Sequence, residues 1–333
     1  MPKTLLLIIS LALLSSCQYF KKLQPYNGPW LKVTLEIDPA ELPANLSERK
    51  KLAATIETIL YSRLEKLEIP VKGIITAGDY TGFDVLLGAD SAADVQKARH
   101  LLMAQGKMEF RPCYAAGDII KQLAAVNSGA QEGTNAGLTR QLFTVLMPAI
   151  NNQGEIMAGA AIGYTLAKDT AAVIHLLSDT AYTALLPADV RWVWSQKPKE
   201  GAEEAFTLYA IEQSAPFITN GAFKEAKVEL DRNMGTPILN ITLTDEAAKR
   251  WEKMTDEAAH KQNQRGCIAI IYNDAALLVP TVYGKISGGK MQISGANSLA
   301  DLEEIRAMIA SAEMPVHLRI TAEGIEKNEA SGK

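Results

Sequence analysis

The run GCIAIIYNDAALLVP, from Gly266 to Pro280, limits what this chain can fold into more than any other stretch. Two apolar segments meet at Asn273-Asp274, residue types that tolerate positive φ in a two-residue hairpin turn. A hairpin is expected here, and regular signals continue on both sides of it. Thr244 stands just before a run in which Ala248, Trp251, Met254 and Ala258 share one helical face, with Asp245 and Glu246 in the first turn. Beyond the hairpin, KISGGKMQISG (Lys285–Gly295) predicts two short strands around Gly288-Gly289. Leu299, Leu302, Ile305, Met308 and Ile309 then mark a last helix before a strand from Pro315 to Ile320. The block from Phe217 to Ile320 thus reads strand, helix, hairpin, glycine turn, helix and strand. No part of it has the spacing of a catalytic constellation.

The same residues resemble a known family. TNGAFKEAKVEL (Thr219–Leu230), AKRWEKMT (Ala248–Thr255), the Ala269–Pro280 hairpin, Gly288-Gly289, Ile293-Ser294-Gly295 and Met314-Pro315 recur in this order, at matching spacings, in the SecD family. The chain resembles the first large periplasmic domain of SecD, or of the fused SecDF form. In that family Asn273-Asp274 is usually Asp-Gly and Ala312 is usually Gly. Both departures are mild, because Asn and Asp still suit the turn and a helix can close without Gly at some cost.

Met1–Cys17 has the form of a secretion signal: Lys3 supplies the positive end, Leu5–Leu14 the apolar core, and Leu14-Ser15-Ser16-Cys17 a lipobox. The apolar run is shorter than the ~20 helical residues that a hydrocarbon core requires. Cys17 is therefore expected to carry palmitate-type acyl chains as the new amino terminus, in preference to an ordinary signal followed by an idle cysteine. Gln18 is not the aspartate that often retains lipoproteins in an inner membrane, so either membrane is open. The segment 18–30, with Pro25, Gly28 and Pro29, reads as a tether able to reach roughly 40 Å.

From Leu31 the pattern becomes regular. LKVTLEI alternates as a strand, and Ser47 starts a long helix with Leu52, Ile56, Ile59, Leu60, Leu64 and Leu67 inward, ended by Pro70. Strands follow at Val71–Ala77 and Phe83–Leu87. Ser91 and Asp94 form a capping box for a helix burying Val95, Ala98 and Leu102, and Met108 and Phe110 lie inward on the next strand. The order β-α-β-β-α-β predicts a ferredoxin-like unit. Arg63-Leu64-Glu65-Lys66-Leu67 and GKMEFRPCY (Gly106–Tyr114) resemble SecD as well, whereas Tyr26-Asn27-Gly28-Pro29-Trp30 replaces the family's Leu-Asp-Leu-Lys-Gly-Gly motif. Ile162–Ser178, Arg191–Pro198 and Leu208–Gln213 are similar to the insertion in fused SecDF chains, while Asn127–Gly137 and Lys197–Glu204 read as polar loops.

The 34 basic and 38 acidic residues are mixed, the net charge is −4, and no basic block points to nucleic acid. Cys113 and Cys267 are an even pair, but the resemblance puts them on different lobes, so two buried apolar cysteines are expected rather than a disulfide. His100, His175, His260 and His317 lack metal-ligand spacing. No serine elbow or phosphate-binding glycine loop is present, and Asp118, Asp169, Asp179 and Asp189 read as caps or loop charges. Arg111, Arg191, Arg232 and Arg250 are not expected to cluster. Trp192 and Trp194 alternate on one strand, and with Tyr283 they are candidates for lining a groove for an unfolded chain. Filling the core of the head is the competing role for the two tryptophans.

The expected fold is α+β, a ferredoxin-like base with an inserted α+β head. The expected organisation is a signal peptide at 1–17, a tether at 18–30, a base at 31–114 with a return segment at 297–320, a head at 115–296 and a polar tail at 321–333. The resemblance implies a non-enzymatic, cofactor-free binding module, held on the extracytoplasmic side by a lipid on Cys17. Its expected partners are unfolded exported polypeptides, bound passively, or components of the Sec translocon. The alternative is a structural docking subunit of an envelope complex that never touches substrate chains.

Overall fold

The computed structural model describes residues 26–126, 141–198, 204–215, 217–232, 234–261, 265–294 and 298–326. Cys17 and the Asn127–Gly137 segment lie outside them. The chain is α+β and divides into two compact units, one of residues up to Ala104 together with those from Met314, the other Gln105–Glu313.

In the first unit, β1 (Trp30–Ile37) buries Leu31, Val33, Leu35 and Ile37 on alternate positions, as its period of two requires. The helix α1 (Leu46–Lys66) is capped by Asn45, whose Oδ1 accepts from Ser47 N at 2.7 Å. It buries Ala53, Ile56, Ile59, Leu60 and Leu64, and with them Arg63. After β2 (Val71–Thr76) and β3 (Gly82–Gly88), α2 (Ala92–Met103) opens with the Ser91/Asp94 capping box. The fourth strand is β15 (Leu318–Glu326), giving the antiparallel order β15-β1-β3-β2 of a ferredoxin-like sheet.

This corrects four expectations. The strand at Met108–Pro112, β4, does not close this sheet, and the division between units falls at Ala104/Gln105 and Glu313/Met314 rather than at 114/115 and 296/297. The reason is burial. Met108, Glu109, Phe110 and Arg111 are all buried, so β4 has two covered faces and takes a central position between β12 (Ile268–Tyr272) and β9 (Ile218–Thr219). By contrast, residues 321–325 of β15 are exposed, which suits a sheet edge, and half of the expected tail is therefore strand. The expected tether also ends early: Tyr26 donates from its hydroxyl to Asp90 Oδ1 at 2.8 Å and stacks edge-on against Trp30.

Among the described residues the second unit holds three antiparallel sheets. β13 (Ala275–Leu278), β12, β4 and β9 form one, in that order. β5 (Met147–Pro148), β6 (Ala161–Leu166), β8 (Ala205–Glu212) and β7 (Val190–Trp194) form the next. The core of that sheet is filled by Ile119, Ile120 and Leu123 of α3 (Ala116–Ala125) and by Val173 and Leu177 of α4 (Thr170–Leu177), packed with Ile162 and Leu208. The third sheet is β10 (Phe223–Leu230), β11 (Pro237–Leu243) and β14 (Lys290–Ile293).

The helix α5 (Asp245–Ala259) starts at Thr244 as expected, and Trp251 meets Phe110 edge-on at 5.8 Å. α6 (Leu299–Ala310) packs on β10 and β11, so of the two elements expected to return to the base only the strand does so. The hairpin turn has Asn273 and Asp274 at φ 48° and 64°, as its residue types predicted. Around Gly288-Gly289 only the second of the two expected strands forms, and Gly289 is required there because a Cβ would lie 2.5 Å from that of Ala248.

Candidate functional site

Four features of the second unit could carry function, and the first is a buried charge cluster. Glu109, on β4, is 2% exposed; its Oε1 accepts from Arg111 Nη2 at 3.0 Å and its Oε2 from Arg191 Nη1 at 2.6 Å. Lys107 Nζ lies 3.4 Å away, and Arg191 also reaches Asp274. Burial alone would raise the Glu109 pKa, but the hydrogen bonds and charges of the two arginines outweigh it and hold it at about 2. Arg111 in turn donates to Gln213 O and covers the Phe217 ring at 3.5 Å. The expectation that Arg111 and Arg191 do not cluster is thus corrected, since residues 80 positions apart in sequence converge once β4 and β7 fold. Each charged side chain of this cluster has a partner within it, although Arg111 Nε is left without one, and the cluster ties β4 to β7 and to the β12–β13 turn.

The aromatic candidates occupy different surroundings. Trp192 and Trp194 are half-buried on β7 and pack against the core of the β5-β6-β8-β7 sheet. Tyr283 is 75% exposed, with the Arg265 guanidinium 4.6 Å from its ring centre. No contact among the described residues joins the tryptophans to Tyr283.

Two of the clefts among the described residues are small. One, of about 200 Å³, is lined by Cys113, Tyr114, Asp118, Glu212, Lys261 and Cys267 among others. The second, of about 170 Å³, lies along Ser195–Lys197 and Ala276–Val279. Both fall below the ~300 Å³ at which small-molecule sites begin, and neither offers a groove for a polypeptide. The two cysteines are buried free thiols, as expected, but they belong to the same unit rather than to different lobes.

The fourth feature is the open edge of β10. This eight-residue strand has β11 as its only strand neighbour among the described residues, and its other side is unpaired in the sheet order. α6 covers the face bearing Ala226 and Val228, while Lys224, Glu225, Lys227 and Glu229 are exposed. The hairpin tip presents Leu230 at 61% and Met234 at 74% exposure. The sequence carries a local sign of this edge, because Glu225, Lys227 and Glu229 alternate in charge along the exposed face of a β pattern, as on unpaired strands.

Among the described residues no group of three or more His, Cys, Asp or Glu could hold a metal ion. No helix among them is long and apolar enough to cross a membrane. Asp179 caps the turn at Ala181, and Asp189 accepts from Tyr114 and Ser214. His317 and His260 pair with Glu41 and Asp256.

Comparison with known proteins gives one consistent family. Residues 195–316, which hold the β10 edge, match the family model of the SecDF P1 head subdomain. The SecD subunit of the protein translocase from Rhodothermus marinus is 24% identical over 253 residues, 69% of this chain and 40% of that protein. The SecDF subunit from Thermus thermophilus is 29% identical over 105 residues, 32% of this chain and 14% of that protein. A crystal structure of SecDF in its super-membrane-facing form shares the fold, with a TM-score of 0.51 and 20% identity over 94% of this chain and 33% of the other. The chain therefore spans less than half the length of these relatives. These relatives are protein translocase subunits, and the family model over residues 195–316, the SecD and SecDF relatives and the shared fold agree in making this chain similar to a SecD/SecDF P1 domain.

Proposed function

We propose that this P1-like domain works on the extracytoplasmic side of a membrane, held there by acyl chains on Cys17, and passively binds extended segments of polypeptides that are being exported. The observation that carries this reading is the open edge of β10. An unpaired strand offers main-chain donors and acceptors to any extended chain, and main-chain pairing is largely indifferent to sequence. That suits a component serving many exported proteins. The exposed Leu230 and Met234 at the end of the strand add apolar contact, and methionine adapts its shape to varied partners. The small mixed clefts do not compete with the edge as a site, and Trp192 and Trp194 contribute chiefly to the core that supports the domain. The lipobox Leu14-Ser15-Ser16-Cys17 supports the anchor, since two or more acyl chains hold a protein stably on a membrane.

Photo-crosslinking tests the binding site. A crosslinking side chain at Lys227, with Ile75 and Tyr283 as comparison positions, is installed in the purified full chain and offered unfolded and folded forms of one exported protein. Labelling of the unfolded form from position 227 above both comparison positions is expected. Equal labelling of the two forms, or labelling from Ile75 alone, overturns the reading in favour of a docking subunit. For the anchor, Cys17→Ala is expected to move the protein from the washed membrane pellet to the soluble fraction or to stall its processing.

A further inference from the structure

The register of β4 against β12 places Ile268 opposite Pro112 and Ala269 opposite Arg111, and one step further along the same register Cys267 stands opposite Cys113. The Cys113 N–H donates to Cys267 O at 3.0 Å, which holds the two strand ends side by side just beyond the Ile268–Pro112 pair. Directly opposed residues on antiparallel strands project to the same face of the sheet. Both thiols accordingly belong to one apolar cluster, with Val193, Ile211, Ala269 and Ile271. Opposed residues on antiparallel strands have Cα atoms about 4.5–5.5 Å apart, inside the roughly 4.4–6.8 Å that a disulfide spans. Both side chains also line the wall of the 200 Å³ cleft, beside Lys261, whose Nζ donates to Cys113 O at 3.1 Å. Burial pushes the Cys113 thiol pKa up, and Cys267, the less covered of the two, is the one an oxidant meets first.

We propose that Cys113 and Cys267 are a cross-strand disulfide site, oxidised by a disulfide-bearing oxidant. The Cys267 thiolate attacks the oxidant's disulfide, forming a mixed disulfide and releasing one oxidant thiol. The Cys113 thiolate then attacks Cys267 Sγ, and the second oxidant sulfur leaves as a thiol. One protein S–S bond forms, the oxidant's S–S bond is lost, and the two electrons and two protons of the cysteine thiols end on the reduced oxidant. The bond ties the chain where residues 114–266 leave β4 to where they return into β12, so it closes a long loop without touching the β10 edge. This inference does not depend on polypeptide binding.

The test uses the purified full chain with oxidised and reduced glutathione at graded ratios, quenched by acid and alkylated. Non-reducing peptide mapping is expected to show a Cys113–Cys267 linked peptide, lighter by two hydrogens than the sum of its parts, accumulating towards the oxidising end. The oxidised protein is expected to melt roughly 5–15 °C above the reduced form. A double variant, Cys113→Ala with Cys267→Ala, is expected to show no redox-dependent change in Tm. The mapping is done on the native sequence, so it stands even where that variant fails to fold. Full alkylation of both thiols at every ratio overturns the proposal, as does a linkage of either cysteine to Cys17.

Discussion

Arg191 Nη2 lies 2.6 Å from Asp274 Oδ1, so the second residue of the β12–β13 turn is held by a strand of a different sheet. The first residue of the turn is engaged too, with Asn273 Oδ1 accepting from the N–H groups of Gly106 and Lys107 at 2.8 and 3.2 Å. The Asn-Asp turn thus trades the strain-free backbone of glycine at position 274 for an ion pair. Asp274 sits at φ 64°, a region that costs a residue with a Cβ about 1 kcal/mol, and the exposed side of the pair returns a similar amount. Asp274→Gly is expected to change stability by less than about 0.5 kcal/mol, whereas Asp274→Ala, which loses the pair and keeps the strain, is expected to cost roughly 1–2 kcal/mol. Urea titration of the three proteins checks this.

Glu109 makes the domain sensitive to acid. Its pKa in the folded chain, about 2, lies below the ordinary 4.5, so its contribution to stability is complete above pH 4.5 and is lost as the pH falls towards 2. That shift corresponds to roughly 3 kcal/mol. Glu109→Gln is expected to destabilise the protein at pH 7 by a similar amount and to flatten the fall in stability between pH 4.5 and 2. A variant with unchanged acid sensitivity would remove Glu109 from this role.

Arg63 is fully buried in the last turn of α1, and its Nη1 donates to Leu101 O at 3.3 Å and to Ala104 O at the end of α2. A cation there satisfies carbonyls that the helix itself leaves open. Arg63→Ala is expected to cost roughly 3 kcal/mol by stranding them, and Arg63→Lys less, because the ammonium lacks the planar fork. Thermal unfolding followed by circular dichroism measures both.

Ala312 closes α6 at φ 78°, just after the C-cap Ser311. Glycine takes this conformation without a Cβ penalty. Ala312→Gly is therefore expected to stabilise the protein by about 1 kcal/mol and to raise Tm by roughly 2–4 °C. A fall in Tm would mean that the extra freedom glycine gives the unfolded chain outweighs the strain relieved.

What could be read from the sequence follows from range. The helix starts at Ser91 and Thr244, the turn at Asn273-Asp274 and the alternation of Leu31–Ile37 are set by neighbours a few residues away, and the structure has each of them. The place of β4 is not legible locally, because Met108 and Phe110 suit either sheet. Only Glu109 between them and Arg111 just after, both buried, with Glu109 paired to Arg111 and to Arg191, require a strand covered on both faces. The charge cluster and the opposed cysteines were hidden for the same reason, since β4 meets β7 and β12 only after some 80 and 150 residues of intervening chain. The β10 edge, in contrast, was written locally in its alternating charges.

The last prediction rests on the proposed binding of extended segments at that edge and concerns its strength. A holder with no coupled energy source can only delay backsliding by binding a segment and then releasing it, so its affinity is bounded on both sides. A dissociation constant of roughly 1 μM to 1 mM corresponds to about −8 to −4 kcal/mol, enough to bias diffusion without trapping the segment. If the main chain of β10 supplies the contacts, an extended peptide of about eight residues is expected to bind the full chain within this range, and scrambling its order is expected to change the constant by less than about threefold. Methylating alternate backbone nitrogens of the peptide removes the N–H groups on one edge, and is expected to abolish binding when the methylated edge is the one presented to β10 and to spare it when the register places them outward. Fluorescence anisotropy titrations with the two methylated series measure this directly. Binding that follows peptide hydrophobicity and ignores methylation would transfer the contact from the strand edge to the exposed Leu230 and Met234 alone.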